Sequence, residues 1–212
     1  MSRDAIFSKI RSSLAVRPGD RARQAAVDQR IADHRRHLQP ERIAKSDREL
    51  TGLFASFLKT SSATVVEVAE AADVPAAIAT YLRGANLPLR VRQGGDAYLV
   101  DLPWSKEPSL TRDSGPATAD DEASLSHALA GVAETGTLVM ASGADNPVTL
   151  SFLPETHIVV VEETDIVGGY EDAFDRVRAR FGSGEMPRTV NMISGPSRTG
   201  DIGGRLVLGA HG

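Results

Sequence analysis

Apolar residues recur at helical spacing along much of the chain, and the pattern is clearest after residue 46. There, five apolar residues fall at i, i+3, i+4, i+7 and i+8, namely Leu50, Leu53, Phe54, Phe57 and Leu58. This spacing predicts an amphipathic helix with one buried face. Ser46 and Glu49 have the spacing of a capping box, which marks where that helix begins. Comparable patterns predict helices over 2–14, 20–38, 73–84 and 171–181.

Short runs rich in Val, Ile and Thr predict β-strands between these helices. The predicted strands cover residues 64–68, 89–92, 97–102, 137–141, 148–152, 157–161, 189–193 and 205–208. Residues 103–121 show no periodicity and predict a long surface loop, under which Trp104 is expected to be an apolar plug. The alternation of strands and helices predicts an α/β fold with a largely parallel sheet and flanking helices.

The first 45 residues are predicted to form a helical N-terminal arm, and residues 46–212 an α/β domain. The helix predicted over 20–38 has only a thin apolar face, so it cannot bury much surface. Residues 1–48 contain 12 Lys and Arg residues against 6 Asp and Glu residues. Basic arms can bind nucleic acid or an acidic partner, but the interleaved acids and the scarcity of aromatic residues favour a solvated helical face. No nucleic-acid partner is predicted.

The composition is that of an ordinary soluble globular protein, with 41% apolar and 25% charged residues and a net charge of −4. The chain lacks the long apolar run of a membrane span, and its N-terminus lacks the apolar core of a secretion signal. A cytoplasmic location is therefore expected. The chain contains no cysteine, which excludes disulfides and an iron–sulfur cluster held by cysteines of this polypeptide.

Two glycine-containing polar turns beside predicted strands are the main candidates for a binding site. The first is the turn 134–137, Glu-Thr-Gly-Thr, and the second is the loop 194–199, Ser-Gly-Pro-Ser-Arg-Thr, followed by Asp201. Backbone N–H groups, hydroxyls and a cation in such loops can bind a carboxylate, a phosphate or a CoA-like group. The alternative is a tight turn whose hydroxyls bond to their own backbone. We expect both turns to lie at adjacent strand ends and line one pocket.

Four motifs in order resemble the lactate-utilisation protein C family (LutC/YkgG, the LUD domain): the E-T-G-T-L-V block at 134–139, a P-x-x-H-I-V-V-V strand at 154–161, I-S-G-P-S-x-T-x-D-I at 193–202 and G-x-H-G at 209–212. The resemblance implies the fold shared by CoA transferases, ribose-5-phosphate isomerase and glucosamine-6-phosphate deaminase. It also implies a role in bacterial oxidation of lactate to pyruvate, with iron–sulfur partner proteins. Gly203 and Gly204 stand where family members commonly have an acidic residue, and the early end at Gly212 leads us to expect a truncated or short C-terminus.

The residues expected to bind a ligand lie in these motifs: Thr135, Gly136, Thr137, Ser194, Gly195, Ser197, Arg198, Thr199, Asp201 and His211. Glu134 is a candidate catalytic residue, because Glu134 and Gly136 match the Glu-x-Gly pattern around the nucleophile of CoA transferases. The alternative for Glu134 is a structural carboxylate that pairs with Arg198 or caps a helix.

No metal site is predicted. His34 and His37 lie beside Asp33, but the surrounding arginines favour a solvated helix, and His157 is expected to be a hydrogen-bonded core residue. No cofactor is expected on this chain, since the resemblance places iron–sulfur clusters on partner proteins. Three functions stay open: an accessory subunit of lactate oxidation, a stand-alone enzyme acting on a CoA ester or sugar phosphate, and a regulatory protein that binds a small anion.

Overall fold

The computed structural model describes residues 2–15, 17 and 19–196. The chain divides into two compact units, residues 1–39 and residues 40–212. The first unit contains helices α1 (Arg3–Ser13) and α2 (Arg21–Asp33), and neither helix buries a residue. Helix α2 ends earlier than predicted, because His34 adopts a left-handed backbone with φ 44° and ψ 45°. The division into a helical N-terminal arm over residues 1–45 and a domain over residues 46–212 stays a prediction.

The second unit alternates helices and strands. Its described α-helices are α3 (Asp47–Thr60), α4 (Val74–Gly84), α5 (Ala97–Asp101) and α6 (Tyr170–Phe181). Its described strands are β1 (Arg90–Gln93), β2 (Thr111–Ser114), β3 (Ala123–His127), β4 (Ala130–Val132), β5 (Thr137–Ala141), β6 (Thr156–Val160), β7 (Ile166–Val167) and β8 (Val190–Ile193). In the part of the chain that the structure describes, no helix is both long and apolar enough to cross a membrane.

The strands form two four-stranded sheets. The first has the order β2-β1-β3-β6 and is parallel throughout. The second has the order β7-β4-β5-β8, in which β4 pairs with β7 in parallel while β5 runs antiparallel to β4 and β8. The predicted α/β class with a parallel sheet and flanking helices is confirmed. In the first sheet the chain passes from β1 to β2 on one side and then to β3 on the other, which makes a topological switch point between β1 and β3.

The core consists of three apolar clusters that fix the helices on the sheets. One joins α4 and α5 to the first sheet through residues such as Leu82, Leu99 and Leu125, all fully buried. The other two lie where α3 meets Ile43 and Ala133, and where α6 covers β4 and β5. Helix α3 begins as its capping box predicts, because the Glu49 carboxylate accepts from both the backbone N–H and the hydroxyl of Ser46, at 3.0 and 2.7 Å.

Two predicted strands are turns of helix instead. Residues 97–102 contain helix α5, because Asp96 accepts a hydrogen bond from Leu99 N and the side chains of Leu99 and Leu102 enter the core three positions apart. Residues 148–152 contain the 3₁₀ turn Val148–Ser151, in which Leu150 is fully buried while Phe152 is 57% exposed. Apolar runs this short do not by themselves distinguish a strand from a helical turn.

Residues 64–68 were predicted as a strand, but they have no strand partner among the described residues, and Val66 and Val68 are exposed. The loop predicted over 103–121 is interrupted by the 3₁₀ turn Trp104–Lys106 and by strand β2. Trp104 is the buried plug that was expected, and its indole N–H donates to Leu99 O at 2.7 Å. Strand β3, rich in Ala and Ser, and the short strands β4 and β7 are not predicted from the sequence.

Candidate functional site

The two polar turns singled out in the sequence meet in the structure. Strands β5 and β8 are antiparallel, with Leu138 opposite Ile193, so the start of β5 and the end of β8 lie at the same edge of the second sheet. At this edge Thr137 Oγ1 lies 2.6 Å from Ser194 Oγ. The described residues of both turns therefore come together as expected, and their binding of a ligand stays a prediction.

Thr137 and Ser194 belong to a group of four hydroxyls, which we call the hydroxyl cluster; its other members are Thr135 and Tyr170. Thr135 Oγ1, Thr137 Oγ1 and the Tyr170 phenol form a closed ring with distances of 2.7, 2.9 and 3.0 Å. Thr137 is 1% exposed and lies at the centre of the cluster, whereas Ser194 is exposed and lies at its outer end. Tyr170 enters the cluster from the first residue of α6 and was not predicted from the sequence.

The proton arrangement of the hydroxyl cluster can take two forms. Each hydroxyl carries one proton and can accept two hydrogen bonds, so Thr137, with three hydroxyl neighbours, is saturated. In one form Ser194 donates to Thr137 and presents only lone pairs to the outside. In the other, Thr137 donates to Ser194, one of the three ring contacts is left without a proton, and the Ser194 proton is available to a group outside the cluster. An anion beside Ser194 would stabilise the second form.

Helix α3 and the residue that follows it occupy the space where a side chain on Gly136 or Gly195 would lie. A Cβ atom placed on Gly136, whose φ is +64°, would lie 2.6 Å from Phe57 Cβ and 2.9 Å from Leu58 N. A Cβ atom on Gly195, whose φ is +96°, would lie 2.5 Å from Ser61 O at the end of the same helix. Both glycines are therefore required by their backbone conformation and by the close packing of α3. The space beside Gly136 is not a path for substrate.

Glu134 is part of an ion pair. Its side chain is 17% exposed, and Oε1 accepts a hydrogen bond from Arg42 Nη2 at 3.1 Å. Its backbone N–H donates to Gly168 O at 3.0 Å, which joins the turn to the segment before α6. These contacts correspond to the structural alternative for Glu134, with Arg42 as the described partner. Arg198, the partner considered from the sequence, lies outside the described residues.

The remaining members of the predicted ligand set also lie outside the described residues. They are Ser197, Arg198, Thr199, Asp201 and His211. Their proposed roles stay predictions.

The histidines considered from the sequence have structural contacts. His34 Nδ1 lies 3.0 Å from Ala32 O, and Asp33 binds Gln29 and Arg35, so these groups bond within and beside their own helix. His157 in β6 lies 3.0 Å from Ser126 Oγ through Nε2. Burial lowers the pKa of His157 from 6.5 to about 4, so this half-buried residue is neutral and hydrogen-bonded.

A second group of polar residues lies at the carboxyl edge of the parallel sheet, where ligands bind in many open α/β sheets. His127 is the last residue of β3, Asp96 follows β1, and Glu162 and Asp165 follow β6. Asp96 Oδ1 lies 3.2 Å from His127 Nδ1, so the two side chains bridge the switch point between β1 and β3. Tyr98 stacks on the His127 ring, with centroids 4.4 Å apart and an interplanar angle of 18°.

Burial and neighbouring charges shift the pKa values of Asp96 and Tyr98 at this edge of the sheet. Burial raises the pKa of Asp96, but the hydrogen bonds from His127 and the Leu99 N–H and the charge of Arg180 bring that pKa below its ordinary value. Burial raises the pKa of the Tyr98 phenol, and the negative charges of Glu162 and Asp165 raise it further. Asp96 is therefore a carboxylate at neutral pH, and Tyr98 is a neutral phenol.

Sequence reasoning missed this second group because it missed β3, and with it the position of His127 at a strand end. The sequence did contain a signal. Ala123, Leu125 and His127 occupy alternate positions, as residues on one face of a strand do, and the last of the three is polar. Small residues such as Ala and Ser have low strand propensity, so the run did not resemble a strand.

Comparison with known proteins shows which proteins this chain is similar to. Residues 116–212 match the LUD domain. Lactate utilization protein C of Geobacillus sp. (strain WCH70) is 38% identical over 82 residues, which are 38% of this chain and 34% of that protein. Lactate utilization protein C of Bacillus subtilis (strain 168) is 39% identical over 82 residues, again 38% of this chain and 34% of that protein. The matched region thus spans about a third of the length of these curated relatives.

A solved structure has the same fold. The crystal structure of a DUF162 family protein from Deinococcus radiodurans superposes with a TM-score of 0.59 and 25% sequence identity, covering 71% of this chain and 89% of that chain. The family match includes the Glu134 turn, the His157 strand and the Ser194 loop, three of the motifs on which the resemblance was based. Residues 116–212 are thus similar to the LUD domain, and part of the chain is similar to lactate utilization protein C.

Proposed function

We propose that this protein is an accessory component of bacterial lactate oxidation to pyruvate and works with iron–sulfur partner proteins. The proposal is supported by its relatives, two of which are named lactate utilization protein C. Removing a hydride equivalent from lactate requires a redox group, since no ordinary side chain can store two electrons. A chain without cysteine has no thiolate ligands for an iron–sulfur cluster, so the partners supply this redox chemistry.

The contribution of this chain is to hold a small carboxylate at the hydroxyl cluster. The observation that carries this proposal is the 2.6 Å contact between Thr137 and Ser194, because it joins two separate family motifs into one polar group at a sheet edge. In the proton arrangement with Thr137 donating to Ser194, the exposed Ser194 hydroxyl can donate to a carboxylate oxygen. Lactate and pyruvate carry such a group, and it is the ligand class expected here.

The contacts of Glu134 favour this function over a covalent enzyme mechanism. A nucleophilic carboxylate must reach its substrate, but Glu134 binds Arg42, and α3 fills the space beside Gly136. The resemblance to the Glu-x-Gly pattern of CoA transferases thus has a structural explanation in the packing of α3.

Growth on L-lactate tests the proposal. Deletion of the gene in the native host is expected to abolish growth on L-lactate but not on pyruvate. The wild-type gene should restore growth, whereas Ser194→Ala should restore it poorly. Ser56→Ala is the matched control, because the Ser56 hydroxyl donates to Leu53 O within its own helix.

The outcomes separate the two parts of the proposal. Normal growth of the deletion strain on lactate would refute the role in lactate oxidation. Full complementation by Ser194→Ala would leave that role intact and refute the hydroxyl cluster as the working site. Immunoblotting for both serine variants would show that the chain is present at equal levels.

A further inference from the structure

We propose that His127, Glu162 and Asp165 bind a divalent transition-metal ion at the carboxyl edge of the parallel sheet. One imidazole nitrogen of His127 and one carboxylate oxygen from each acid lie within 4.8 Å of one another. The proposal does not depend on the role in lactate oxidation, because it rests on a different sheet and on none of the residues of the hydroxyl cluster.

The state of His127 is the first argument. Its Nδ1 lies 3.2 Å from Asp96 Oδ1, and the tautomer that satisfies this carboxylate carries its proton on Nδ1. The lone pair is then on Nε2, which is buried and has no hydrogen-bond partner among the described residues. A buried acceptor without a partner is destabilising unless something occupies its lone pair. The neighbouring side chains of Glu162 and Asp165 present carboxylate oxygens, so a cation fits this position.

The orientation of the imidazole is the second argument. Metal-bound histidines usually donate their other ring N–H to a carboxylate, which fixes the tautomer and makes the ring a better ligand. Asp96 is the carboxylate beside Nδ1 of His127, and Tyr98 stacks on the imidazole and fixes the plane of the ring. Asp96 is itself fixed, since it accepts a hydrogen bond from Leu99 N at the start of α5.

The ligand set is the third argument. One nitrogen and two carboxylate oxygens suit ions such as Zn²⁺, Mn²⁺ and Fe²⁺. Neighbouring ligand atoms at about 2.1 Å from such an ion are about 3–3.4 Å apart, so atoms within 4.8 Å of one another must move inward by about 1 Å or more on binding. Asp165 also pairs with Arg176 through Oδ1, and a carboxylate has a second oxygen for a metal. Three protein ligands leave coordination positions for water or a small oxygen ligand.

The position in the fold is the fourth argument. Asp96 and His127 follow the two strands that flank the switch point of the first sheet, and Glu162 and Asp165 follow the next strand, β6. The crevice at such a switch point is the usual place for a ligand in an open parallel sheet. Three separate strand ends thus supply the proposed ligands and the carboxylate that orients His127.

Zn²⁺ titration of the full chain tests the site. After chelator treatment and dialysis, calorimetry is expected to show one Zn²⁺ per chain, and Co²⁺ is expected to give visible d–d absorption on binding. Glu162→Gln should weaken Zn²⁺ binding about tenfold or more, and Asp96→Asn, which removes only the orienting carboxylate, about 10- to 100-fold. Glu163→Gln is the matched control, because Glu163 is exposed and hydrogen-bonds to Thr51 instead.

A second control concerns the N-terminal helices. The double variant His34→Gln, His37→Gln should bind Zn²⁺ like the wild type. The proposal is overturned if the chain binds no stoichiometric Zn²⁺, if Glu162→Gln binds as tightly as Glu163→Gln, or if the His34, His37 double variant alone abolishes binding. Glu162 is exposed, so its substitution leaves the core unchanged, and a circular-dichroism melt of each variant verifies the fold.

Discussion

Thr137 and Ser194 are 57 residues apart in sequence, and their hydroxyl oxygens lie 2.6 Å apart, where strand β5 begins beside the end of the antiparallel strand β8. Thr137 is buried at the centre of the hydroxyl cluster and Ser194 is exposed at its outer end. Removal of the central hydroxyl therefore takes one partner from each of three others, although Thr135 and Tyr170 keep their contact with each other. Removal of the outer hydroxyl takes a partner from Thr137 alone.

This difference predicts an asymmetric double-mutant cycle. Thr137→Val should lower the free energy of unfolding by about 1–3 kcal/mol, because buried hydroxyls lose a partner, and Ser194→Ala should lower it by less than about 1 kcal/mol. The double variant should be about as stable as Thr137→Val alone, since the shared hydrogen bond is already absent. Urea unfolding of the four proteins measures the cycle. Strictly additive losses would show that the two hydroxyls do not interact.

Gly136 is predicted to be intolerant of any side chain. Gly136→Ala should lower the free energy of unfolding by about 2–4 kcal/mol, because it combines a left-handed backbone with a clash against α3. A Cβ atom placed on Gly52, within α3, would have no neighbouring atom within 4 Å, and Gly52→Ala should raise stability by about 0.5–1 kcal/mol. Thermal or urea unfolding of both variants decides the matter. A neutral Gly136→Ala would mean that α3 does not pack against this turn.

His157 is predicted to make stability depend on pH. Its folded pKa of about 4 lies below the ordinary value of 6.5, so the unfolded chain binds a proton first as the pH falls. The contribution of the neutral histidine is complete above pH 6.5 and is lost between pH 6.5 and 4, by at most about 3 kcal/mol. The unfolding free energy of His157→Gln should fall less steeply across this range than that of the wild type. His34→Gln, at an exposed site, should follow the wild type; equal slopes for all three proteins would contradict the prediction.

The elements that the sequence predicted well are those specified by neighbouring residues. Helix α3 has its capping box and its apolar stripe within one segment, and strands β5 and β8 have dense runs of β-branched and other apolar residues. Helix α5 and strand β3 depend instead on their surroundings. Residues 97–101 become helical because Asp96 caps them and the core accepts Leu99, and residues 123–127 become a strand because β1 and β6 pair with them on both sides.

The same distinction applies to the candidate sites. The turns at 134–137 and 194–195 were found because each is a continuous motif, and antiparallel pairing of β5 and β8 brings them together. Asp96, His127, Glu162 and Asp165 come from three strand ends and form no local pattern. A single sequence contains no information on which strand ends are neighbours until the strand order is known, so this group appeared only in the structure.

The measurement that tests the central claim most directly is lactate-dependent dye reduction by the purified chain, alone and combined with iron–sulfur proteins from a lactate-grown host. Its absorption spectrum is recorded first, to detect any bound chromophore, and the assay is repeated with added Zn²⁺. The proposed accessory role predicts no turnover by the chain alone, and turnover by the combined system that falls when this chain is omitted. Turnover by the chain alone at a rate comparable to the combined system would place the redox chemistry here and contradict that role.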